Sequence, residues 1–365
     1  MKVLVATGSS GGHIFPALSF LAALKKKSPG VDALLVLPKK SIKSVILPAE
    51  IKVKYTSTSA IGLGLSLKNL RALINLFKGF LESLLILCEF RPDVVAGFGG
   101  LNSVPLVLLG WLFRAKTIIH EQNVIPGRAN RLLAKFSDRI AVSFKETENF
   151  LRLSRDKVII SGNPIREELR PVDKSEALRF FGFENNKFTI LVMGGSQGSR
   201  KINATFPKAA ALLSDISGFQ VIHISGAENL DLLSCQYTSL GIKFKLFNFL
   251  PQMQYAYSAA DLAISRAGAT TVAELILYRL PAIIVPYPFA YRHQEANAGF
   301  LQDKKAAVKI SDDALEAGAL AEAIGAISMD PQRRMGMSLA YEGIVLPDAN
   351  NVLADAALSL ISINE

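Results

Sequence analysis

Short apolar segments alternate with helix-length segments along the whole chain, and this alternation restarts once. The first set of strand-length segments reads KVLVAT, ALLVLP, DVVAGF, KTIIHE, RIAVSF and KVIISG. After Gly162-Asn163-Pro164 the pattern begins again with FTILVMGG, FQVIHISG, KFKLFNF, LAISRAG, PAIIVPYP and AAVKIS. Apolar strands separated by helices are typical of parallel sheets that are covered on both faces. The sequence therefore predicts an α/β fold with two Rossmann-like, doubly wound parallel-sheet domains.

The composition fits a globular protein of two domains and argues against several other classes. The chain has 365 residues, of which half are hydrophobic and a fifth are charged; two domains of roughly 150–200 residues are the natural expectation for that length. Cys88 and Cys235 are far apart and form neither a disulfide framework nor a metal-binding spacing, which fits a reducing compartment. No apolar stretch reaches the roughly 18–20 residues of a spanning helix, and the first residues do not predict a secretory signal.

The positive charge of the chain is concentrated in its first half. Through Arg170 there are 25 lysine and arginine residues against 12 aspartate and glutamate residues, a net charge of +13, whereas the remainder carries −3. This asymmetry predicts a polyanionic partner for the first half, either nucleic acid or an anionic membrane. Nucleic acid is the less supported partner, because the basic residues are not interleaved with stacking aromatic residues.

The segment from Ile51 to Leu81 contains basic and apolar residues but no acidic residue. A helix that begins near Ser66 would place Leu70, Leu73, Ile74, Phe77 and Leu81 on one face, at the spacing i, i+3, i+4, i+7. Two interpretations fit this face: it packs against the core, or it lies in a membrane interface. The apolar glycine loop before the helix favours the membrane. The predicted membrane residues are Leu63, Leu65, Leu73, Phe77 and Phe80.

Glycine clusters follow several of the predicted strands. They lie at Gly8–Gly12 and Gly97–Gly100 in the first half, and at Gly194–Gly198 and Gly268 in the second. Ligands bind at the carboxyl ends of the strands in such sheets, and a glycine turn that leads into a helix presents backbone N–H groups to a phosphate. Neither the dinucleotide pattern nor the Walker motif occurs, which argues against a dehydrogenase and a P-loop enzyme.

The stretch SRAGATTVAE, from Ser265 to Glu274, has two interpretations. The carboxylate of Glu274 can accept hydrogen bonds from two ribose hydroxyls while the preceding amides face a phosphate. Alternatively, Thr270 and Glu274 only stabilise the start of a helix. Further along, RHQEAN places amide side chains after another strand end, where they suit a sugar with several hydroxyls.

The ordered motifs GGHIFPAL, HEQNVIPGRANRLL, GNPIR, GGSQGSRKIN, SRAGATTVAEL and PYPFAYRHQEANA resemble the MurG family of membrane-associated N-acetylglucosaminyltransferases. The resemblance implies a GT-B fold, in which two Rossmann-like domains face a central cleft. It implies inverting transfer of GlcNAc from UDP-GlcNAc to the C4 hydroxyl of MurNAc in lipid I (undecaprenyl-diphospho-MurNAc-pentapeptide). The product is lipid II of peptidoglycan synthesis, and the implied location is the cytoplasmic face of the cell membrane.

The resemblance also implies which substrate each domain binds. Residues 1–162 would bind the acceptor and associate with the membrane, and residues 163–340 would bind UDP-GlcNAc. A C-terminal helix at about 341–365 would pack back on the first domain. Another nucleotide-sugar enzyme of this architecture, such as a UDP-GlcNAc epimerase, or a different lipid glycosyltransferase, is the alternative. An epimerase would not need the basic, apolar segment at Ile51–Leu81.

The family pattern carries over to individual positions of this chain. Ser196 and Gln197 match the diphosphate loop, a backbone group of Leu250 would meet uracil, and the helix start at Ala269–Glu274 would take ribose and phosphate. Gln294 and Asn297 match sugar contacts. One departure is GFGGLNSVP, where the family usually has further glycines. The implied substrate-binding residues are Ser10, Gly11, Gly12, Asn123, Arg166, Ser196, Gln197, Leu250, Ala269, Thr270, Thr271, Val272, Ala273, Glu274, Gln294 and Asn297.

The reaction needs a base for the acceptor hydroxyl, and three residues qualify. An imidazole suits this role near neutral pH, and His13 would stand directly after the first glycine turn, at the cleft. The competing interpretation is that His13 only caps or packs its helix. Glu121 is the rival base, and His120 is a weaker one. No Asp-x-Asp pair occurs, so the sequence predicts neither a dedicated metal site nor a cofactor.

Overall fold

The computed structural model describes residues 1–39, 47–58, 67–151, 155–195, 198–213, 218–227, 230–290, 292–344 and 347–362. Strands and helices alternate along these residues. The strands are β1 (Lys2–Thr7), β2 (Asp32–Pro38), β3 (Lys52–Thr56), β4 (Val94–Phe98), β5 (Lys116–Glu121), β6 (Arg139–Val142), β7 (Val158–Ile160), β8 (Thr189–Met193), β9 (Gln220–Ile224), β10 (Lys243–Phe247), β11 (Leu262–Ser265), β12 (Ala282–Ile284) and β13 (Ala307–Lys309).

The helices connect successive strands, and three short 3₁₀ turns at Lys145–Thr147, Arg155–Lys157 and Tyr341–Gly343 supplement them. The α-helices are α1 (Gly11–Lys27), α2 (Leu67–Phe90), α3 (Ser103–Leu112), α4 (Arg128–Leu133), α5 (Glu148–Leu151), α6 (Lys174–Phe181), α7 (Arg200–Ala210), α8 (Leu230–Ser239), α9 (Met253–Ala259), α10 (Ala269–Tyr278), α11 (His293–Asp303), α12 (Ala317–Ser328), α13 (Pro331–Ala340) and α14 (Ala349–Ser362).

Both sheets are parallel and doubly wound. In the described residues the first sheet has the strand order β3-β2-β1-β4-β5-β6-β7, and the second has the order β10-β9-β8-β11-β12-β13. The order reverses between β1 and β4 in the first sheet and between β8 and β11 in the second. Such a reversal marks the place where ligands bind, outside the carboxyl ends of the strands.

The chain divides into two compact units. The first comprises Met1–Arg166 and Leu346–Glu365, and the second comprises Glu167–Val345. The sequence-based boundary at residues 162 and 163 falls four residues earlier. The Gly162–Arg166 segment therefore belongs to the first unit, together with the motif GNPIR that it carries.

The first sheet is covered by helices on both faces. Because side chains alternate along a strand, Val3 and Val5 of β1 point to one layer, and Leu4 and Ala6 point to the other. The first layer contains residues of α1 and α14, and the second contains residues of α2, α3 and α4. Two apolar layers explain why β1 is apolar throughout rather than alternating with polar residues.

The C-terminal helix α14 packs on α1 within the first unit. Leu353, Ala354 and Ala357 are buried in the same cluster as residues of α1. Lys27 at the end of α1 forms an ion pair with Asp355 at an N–O distance of 2.6 Å, and Asn350 donates to the carbonyl of Ile165 over 2.8 Å. The helix is thus fixed against both α1 and the end of the GNPIR segment.

The core of the second unit contains a buried polar network around His223 of β9. One ring nitrogen lies 2.6 Å from the Tyr237 hydroxyl, and the other lies 3.0 Å from Oδ1 of Asn203 in α7. Asn203 in turn donates to the carbonyl of Ser225 over 2.9 Å. Burial lowers the pKa of His223 to about 3, so the ring is neutral and fixes the first turns of α7 against β9.

Candidate active site

The turn between β1 and α1 holds the histidine that the sequence singles out. Ser10 has an extended backbone at the start of α1, and its carbonyl accepts hydrogen bonds from the backbone N–H groups of His13 and Ile14. The Ser10 hydroxyl lies 2.9 Å from Nδ1 of His13. Gly11 and Gly12, which lie between Ser10 and His13 in the sequence, are the first two residues of the helix. The serine hydroxyl is therefore engaged with the imidazole rather than with the helix amides.

Two glycine turns pack against the half-buried His13 ring. A Cβ atom at Gly8 would lie 2.6 Å from Nδ1 of the ring, and one at Gly99 would lie 3.1 Å from its Cδ2. Gly99 also has a φ of +79°, which favours glycine. These turns follow β1 and β4, the strands at the reversal of strand order. The glycines thus leave space for an imidazole at the ligand-binding edge of the first sheet.

Glu121 at the end of β5 is buried and accepts four hydrogen bonds. Oε1 accepts from the backbone N–H of Asn123 over 2.9 Å and from its side-chain amide over 3.0 Å. Oε2 accepts from the N–H of Gly127 over 2.9 Å and from the amide of Asn130 over 2.8 Å. A carboxylate saturated by donors from its own loop organises that loop. This geometry favours a positioning role for Glu121 over the role of a base.

His120 is fully buried and neutral. Its Nε2 lies 2.9 Å from the carbonyl oxygen of Gly162, and its Nδ1 lies 2.9 Å from the side-chain nitrogen of Gln122. Burial lowers the pKa of His120 to about 4, although the bond to Gly162 and the charge of Glu121 oppose that shift. A neutral ring with both nitrogens engaged in this way joins the HEQN loop to the GNPIR turn. The structure therefore argues against His120 as the base.

Asn123 and Arg166 lie on the two segments that these bonds fix. The side-chain amide of Asn123 is held by Glu121, and its carbonyl accepts from the Thr147 hydroxyl over 3.2 Å. The guanidinium of Arg166 lies over the ring of Phe15 in α1, 4.8 Å from the centroid. Phe15 lies two residues after His13, so the cation–π contact anchors Arg166 to the helix that carries the histidine. The sequence did not single out Phe15.

The second unit has its own glycine turn, between β8 and α7. Ser196 and Gln197 lie outside the described residues, so the structure describes this turn only on its two sides. Gly198 has a φ of +75°, and a Cβ atom there would lie 2.3 Å from the carbonyl oxygen of Ser225. Ser199 is the N-cap residue directly before α7, and its hydroxyl accepts from the N–H of Ile202 over 3.4 Å. A helix that begins directly after such a tight glycine turn is suited to binding a phosphate at its N-terminus.

Helix α10 begins after Gly268, which contributes no side-chain cap. The first residues Ala269, Thr270 and Thr271 therefore depend on other partners for their N–H groups, and a helix N-terminus of this kind attracts anions. Glu274 lies about one turn further and is buried, and its Oε2 accepts from the Tyr257 hydroxyl over 2.6 Å. Between them, Val272 and Ala273 are buried and pack into the core.

Gln294 and Asn297 of α11 hold the peptide of Ala267 from both sides. Gln294 Oε1 accepts from the N–H of Ala267 over 3.2 Å and from that of Tyr287 over 2.9 Å. Asn297 donates to the carbonyl of Ala267 over 3.0 Å. The side chain of Asn297 is 0% exposed, so the expected direct sugar contact is not supported for it. Asn297 instead fixes the backbone that leads into α10.

Leu250 follows β10 and is buried, whereas the preceding Phe249 is 44% exposed. The leucine side chain therefore points into the second unit, so a ligand can contact this residue only through its backbone. The exposed aromatic ring beside it offers a face on which a base can stack. The sequence singled out Leu250 but not Phe249.

Models of known families match both units. The Glycosyltransferase family 28 N-terminal domain matches residues 3–142, and the Glycosyltransferase family 28 C-terminal domain matches residues 189–350. Two relatives are each named UDP-N-acetylglucosamine--N-acetylmuramyl-(pentapeptide) pyrophosphoryl-undecaprenol N-acetylglucosamine transferase. The one from Halalkalibacterium halodurans is 35% identical over 96% of both chains, and the one from Halothermothrix orenii is 36% identical over 97% of both. The chain belongs to the MurG family of glycosyltransferase family 28.

Solved structures agree with the fold expected of a MurG-family chain. The crystal structure of Acinetobacter baumannii MurG aligns with a TM-score of 0.76 and 24% identity, over 98% of this chain and 99% of that one. A UDP-GlcNAc 2-epimerase from Neisseria meningitidis aligns with a TM-score of 0.67 and 16% identity over the full length of both chains. The predicted GT-B fold and the predicted resemblance are both confirmed.

Helix α2 of this MurG-family chain exposes the apolar face that the sequence predicted. Leu73, Phe77 and Phe80 are 56%, 65% and 41% exposed. The opposite face, with Ser83 and Leu87, is buried against the first unit. The interpretation of the apolar face as core-facing is therefore wrong. Leu63 and Leu65 lie outside the described residues.

The end of α3 adds a second set of exposed apolar side chains, which the sequence did not indicate. Trp111, Leu112 and Phe113 are all exposed, and Trp111 packs edge-on against Phe136 at a centroid distance of 5.0 Å. Helices α2 and α3 are neighbours in the first unit. Among the described residues, no helix is long and apolar enough to span a bilayer, and no cluster of three or more His, Cys, Asp or Glu side chains is arranged for a metal.

Proposed function

We propose that this chain transfers GlcNAc from UDP-GlcNAc to the C4 hydroxyl of MurNAc in undecaprenyl-diphospho-MurNAc-pentapeptide, with inversion, and so forms lipid II of peptidoglycan synthesis. The observation that carries the proposal is the identity of about 35%, over nearly the whole length, to relatives named for this reaction. Independent support comes from the geometry, because both sheets end in glycine turns suited to phosphates.

The second unit binds the donor in this proposal. The N-terminus of α10 faces the diphosphate, Ser196 and Gln197 match the family's diphosphate loop, and the carboxylate of Glu274 accepts from the ribose. Backbone groups of Leu250 meet uracil, with the ring of Phe249 beside them. Gln294 contacts the sugar directly, or it holds the backbone of Ala267 and Tyr287 so that this backbone contacts the sugar. The buried hydroxyl of Tyr257 keeps Glu274 in a fixed orientation for this task.

The first unit binds the acceptor and supplies the base. Its glycine turns present backbone N–H groups to the lipid-linked diphosphate. When the Ser10 hydroxyl accepts from Nδ1 of His13, the imidazole carries its lone pair on Nε2. His13 then takes the proton from the C4 hydroxyl as that oxygen attacks the anomeric carbon, and UDP leaves with its negative charge. Arg166, held on Phe15, stabilises that charge.

Glu121 acts in this mechanism through the loop that it organises. Four donors hold its carboxylate, and two of them belong to Asn123, a position that matches the family's donor site. We assign Glu121 the task of holding Asn123 in place. His120 performs the equivalent task for the Gly162–Arg166 segment through its bond to the Gly162 carbonyl.

The first unit docks on the cytoplasmic face of an anionic membrane in this proposal. The exposed face of α2, with Leu73, Phe77 and Phe80, enters the interface, and the apolar end of α3 at Trp111–Phe113 extends it. The first unit, Met1–Arg166 and Leu346–Glu365, has 24 basic and 13 acidic residues, and its net charge of +11 attracts the surface, at about 1 kcal/mol for each basic residue close to it. Docking brings the acceptor turns to a substrate whose lipid chain stays in the bilayer.

The decisive experiment is transfer of label from radiolabelled UDP-GlcNAc to lipid I in detergent micelles. We expect label in the lipid fraction, and none when lipid I is omitted or when UDP-GlcNAc is replaced by UDP-glucose. Free labelled sugar without any labelled lipid would refute the transferase and favour the epimerase or hydrolase reactions of related architectures.

A further inference from the structure

Arg266 is a buried cation at the carboxyl end of β11, directly before the peptide that Gln294 and Asn297 hold. Its Nε donates to the hydroxyl of Ser199 over 3.1 Å, and its Nη1 donates to the carbonyls of Val285 and Pro286, each over 3.3 Å. These partners lie on two other segments, the start of α7 and the end of β12. A planar guanidinium with several fixed donors therefore holds three segments of the second unit in register.

Asp312, in the loop after β13, balances this cation and a second one. Its Oδ1 lies 2.6 Å from Nη1 of Arg266, and its Oδ2 lies 3.6 Å from Nζ of Lys201 in the first turn of α7. Lys201 also donates to the backbone carbonyl of Asp312. One carboxylate thus connects β11 and α7 through two cations, and the cluster keeps a net positive charge.

The cluster lies behind two helix N-termini at the same edge of the sheet. Ser199 caps α7, and Arg266 is followed by Ala267 and Gly268, which lead into α10. The preceding strands β8 and β11 are adjacent, at the reversal of strand order. A diphosphate carries two anionic groups, and two helix ends bind both only when their separation is fixed.

We propose that Arg266 and Asp312 are positioning residues for the donor diphosphate. They act without touching it, by fixing the N-terminus of α7 relative to that of α10. This inference rests on the proposed function, because it takes the second unit as the binding site of a nucleoside diphosphate. A pair that only stabilised the unit would affect every part of the nucleotide alike, whereas this pair affects the phosphates selectively.

The test compares the binding of UDP and uridine by calorimetry in the full chain. Arg266→Lys keeps the charge but cannot reach Ser199, β12 and Asp312 together. The matched control is Arg279→Lys at the other end of α10, where Arg279 forms an exposed ion pair with Glu342 at 2.5 Å. We expect Arg266→Lys to raise the Kd for UDP at least tenfold and that for uridine less than threefold, while Arg279→Lys changes neither by more than twofold.

An unchanged Kd for UDP in Arg266→Lys, or equal losses for UDP and uridine, would overturn the positioning role while leaving the proposed function intact. A wild-type chain that does not bind UDP would refute both. If Arg266→Lys does not fold, Lys201→Met decides the question, because that partly exposed side chain is replaceable without leaving a buried charge. We expect it to weaken UDP two- to fivefold with uridine unchanged, and a wild-type affinity for UDP would refute the role of the cluster.

Discussion

The role of Glu121 is tested by replacing it with glutamine. Glutamine keeps one acceptor oxygen but presents an NH₂ group where the other stood. In the wild type, the two donors of Asn123 point at Oε1, and the donors of Gly127 and Asn130 point at Oε2. In the variant, the NH₂ group would face one of these two pairs of donors. Two hydrogen bonds to a charged acceptor are lost, and each contributes about 1.5–3 kcal/mol. The loop from Glu121 to Asn130 therefore loses about 3–6 kcal/mol of local stabilisation.

We expect Glu121→Gln to reduce turnover about 10- to 100-fold, because displaced positioning groups cost about that much. The assay is turnover against pH with saturating UDP-GlcNAc and lipid I. The acidic limb of the profile should stay where the wild type has it, since His13 still accepts the proton. His13→Ala should instead remove that limb and lower turnover about 10²- to 10⁴-fold, with the affinity for UDP retained.

Asn130→Ala is the matched control, because it leaves the carboxylate in place and removes one of its donors. If Glu121 organises the loop, Asn130→Ala loses turnover by a factor comparable to that of Glu121→Gln. The positioning role of Glu121 is refuted if Asn130→Ala turns over normally while Glu121→Gln abolishes both turnover and the acidic limb. In that case the carboxylate is the base and His13 is a structural residue.

Three further predictions concern the donor, the membrane and acid stability. Glu274→Ala should weaken UDP binding by about 1–3 kcal/mol in calorimetry, and an unchanged affinity in a folded variant would contradict the ribose assignment. Changing Leu73, Phe77 and Phe80 together to serine should markedly reduce flotation with anionic vesicles, and undiminished flotation would exclude this face of α2. Because the pKa of His120 is about 4 in the fold and about 6.5 in the unfolded chain, the unfolded state takes up the proton first as the pH falls. His120 should therefore cost about 2 kcal/mol of unfolding free energy between pH 7 and pH 5, and His120→Gln should remove that part of the dependence in urea titrations.

The strands buried on both faces were predictable from the sequence, and the edge strand β3 was not. Twelve apolar segments correspond to strands, and most of these strands are buried on both faces, which need apolar side chains. The edge strands β7 and β10 are partly exposed but keep enough apolar residues to be predicted. Strand β3, KVKYT, is partly exposed at the edge of the first sheet, so it tolerates Lys52 and Lys54. Its composition therefore resembles that of a loop. The order of strands in each sheet is set by long-range packing, which short segments do not encode.

The periodicity of α2 predicted the helix and its apolar face but not the side that packs. The buried side includes small residues, and at Gly79 a Cβ atom would lie 1.9 Å from the carbonyl oxygen of Ser57. Close approach of the backbone there gives the helix a packing face without a strong apolar pattern. The large apolar residues consequently lie on the opposite, exposed face, and only the structure shows which of the two faces packs against the first unit.

Motifs predicted where the functional residues lie more reliably than what each of them does. An amide or a carboxylate after a strand end is equally suited to a ligand and to the backbone of a neighbouring turn, since both present N–H and C=O groups at the same distances. Asn297 and Glu121 lie in the expected motifs, yet their polar atoms bind Ala267 and the loop after β5. Ligand-facing N–H groups need such support, because a loop that moves by 1 Å no longer presents them correctly. A motif at such a site therefore contains two kinds of residue. Some residues touch the substrate, and others hold the backbone that contacts it. Burial of the polar side-chain atoms distinguishes the second kind from the first.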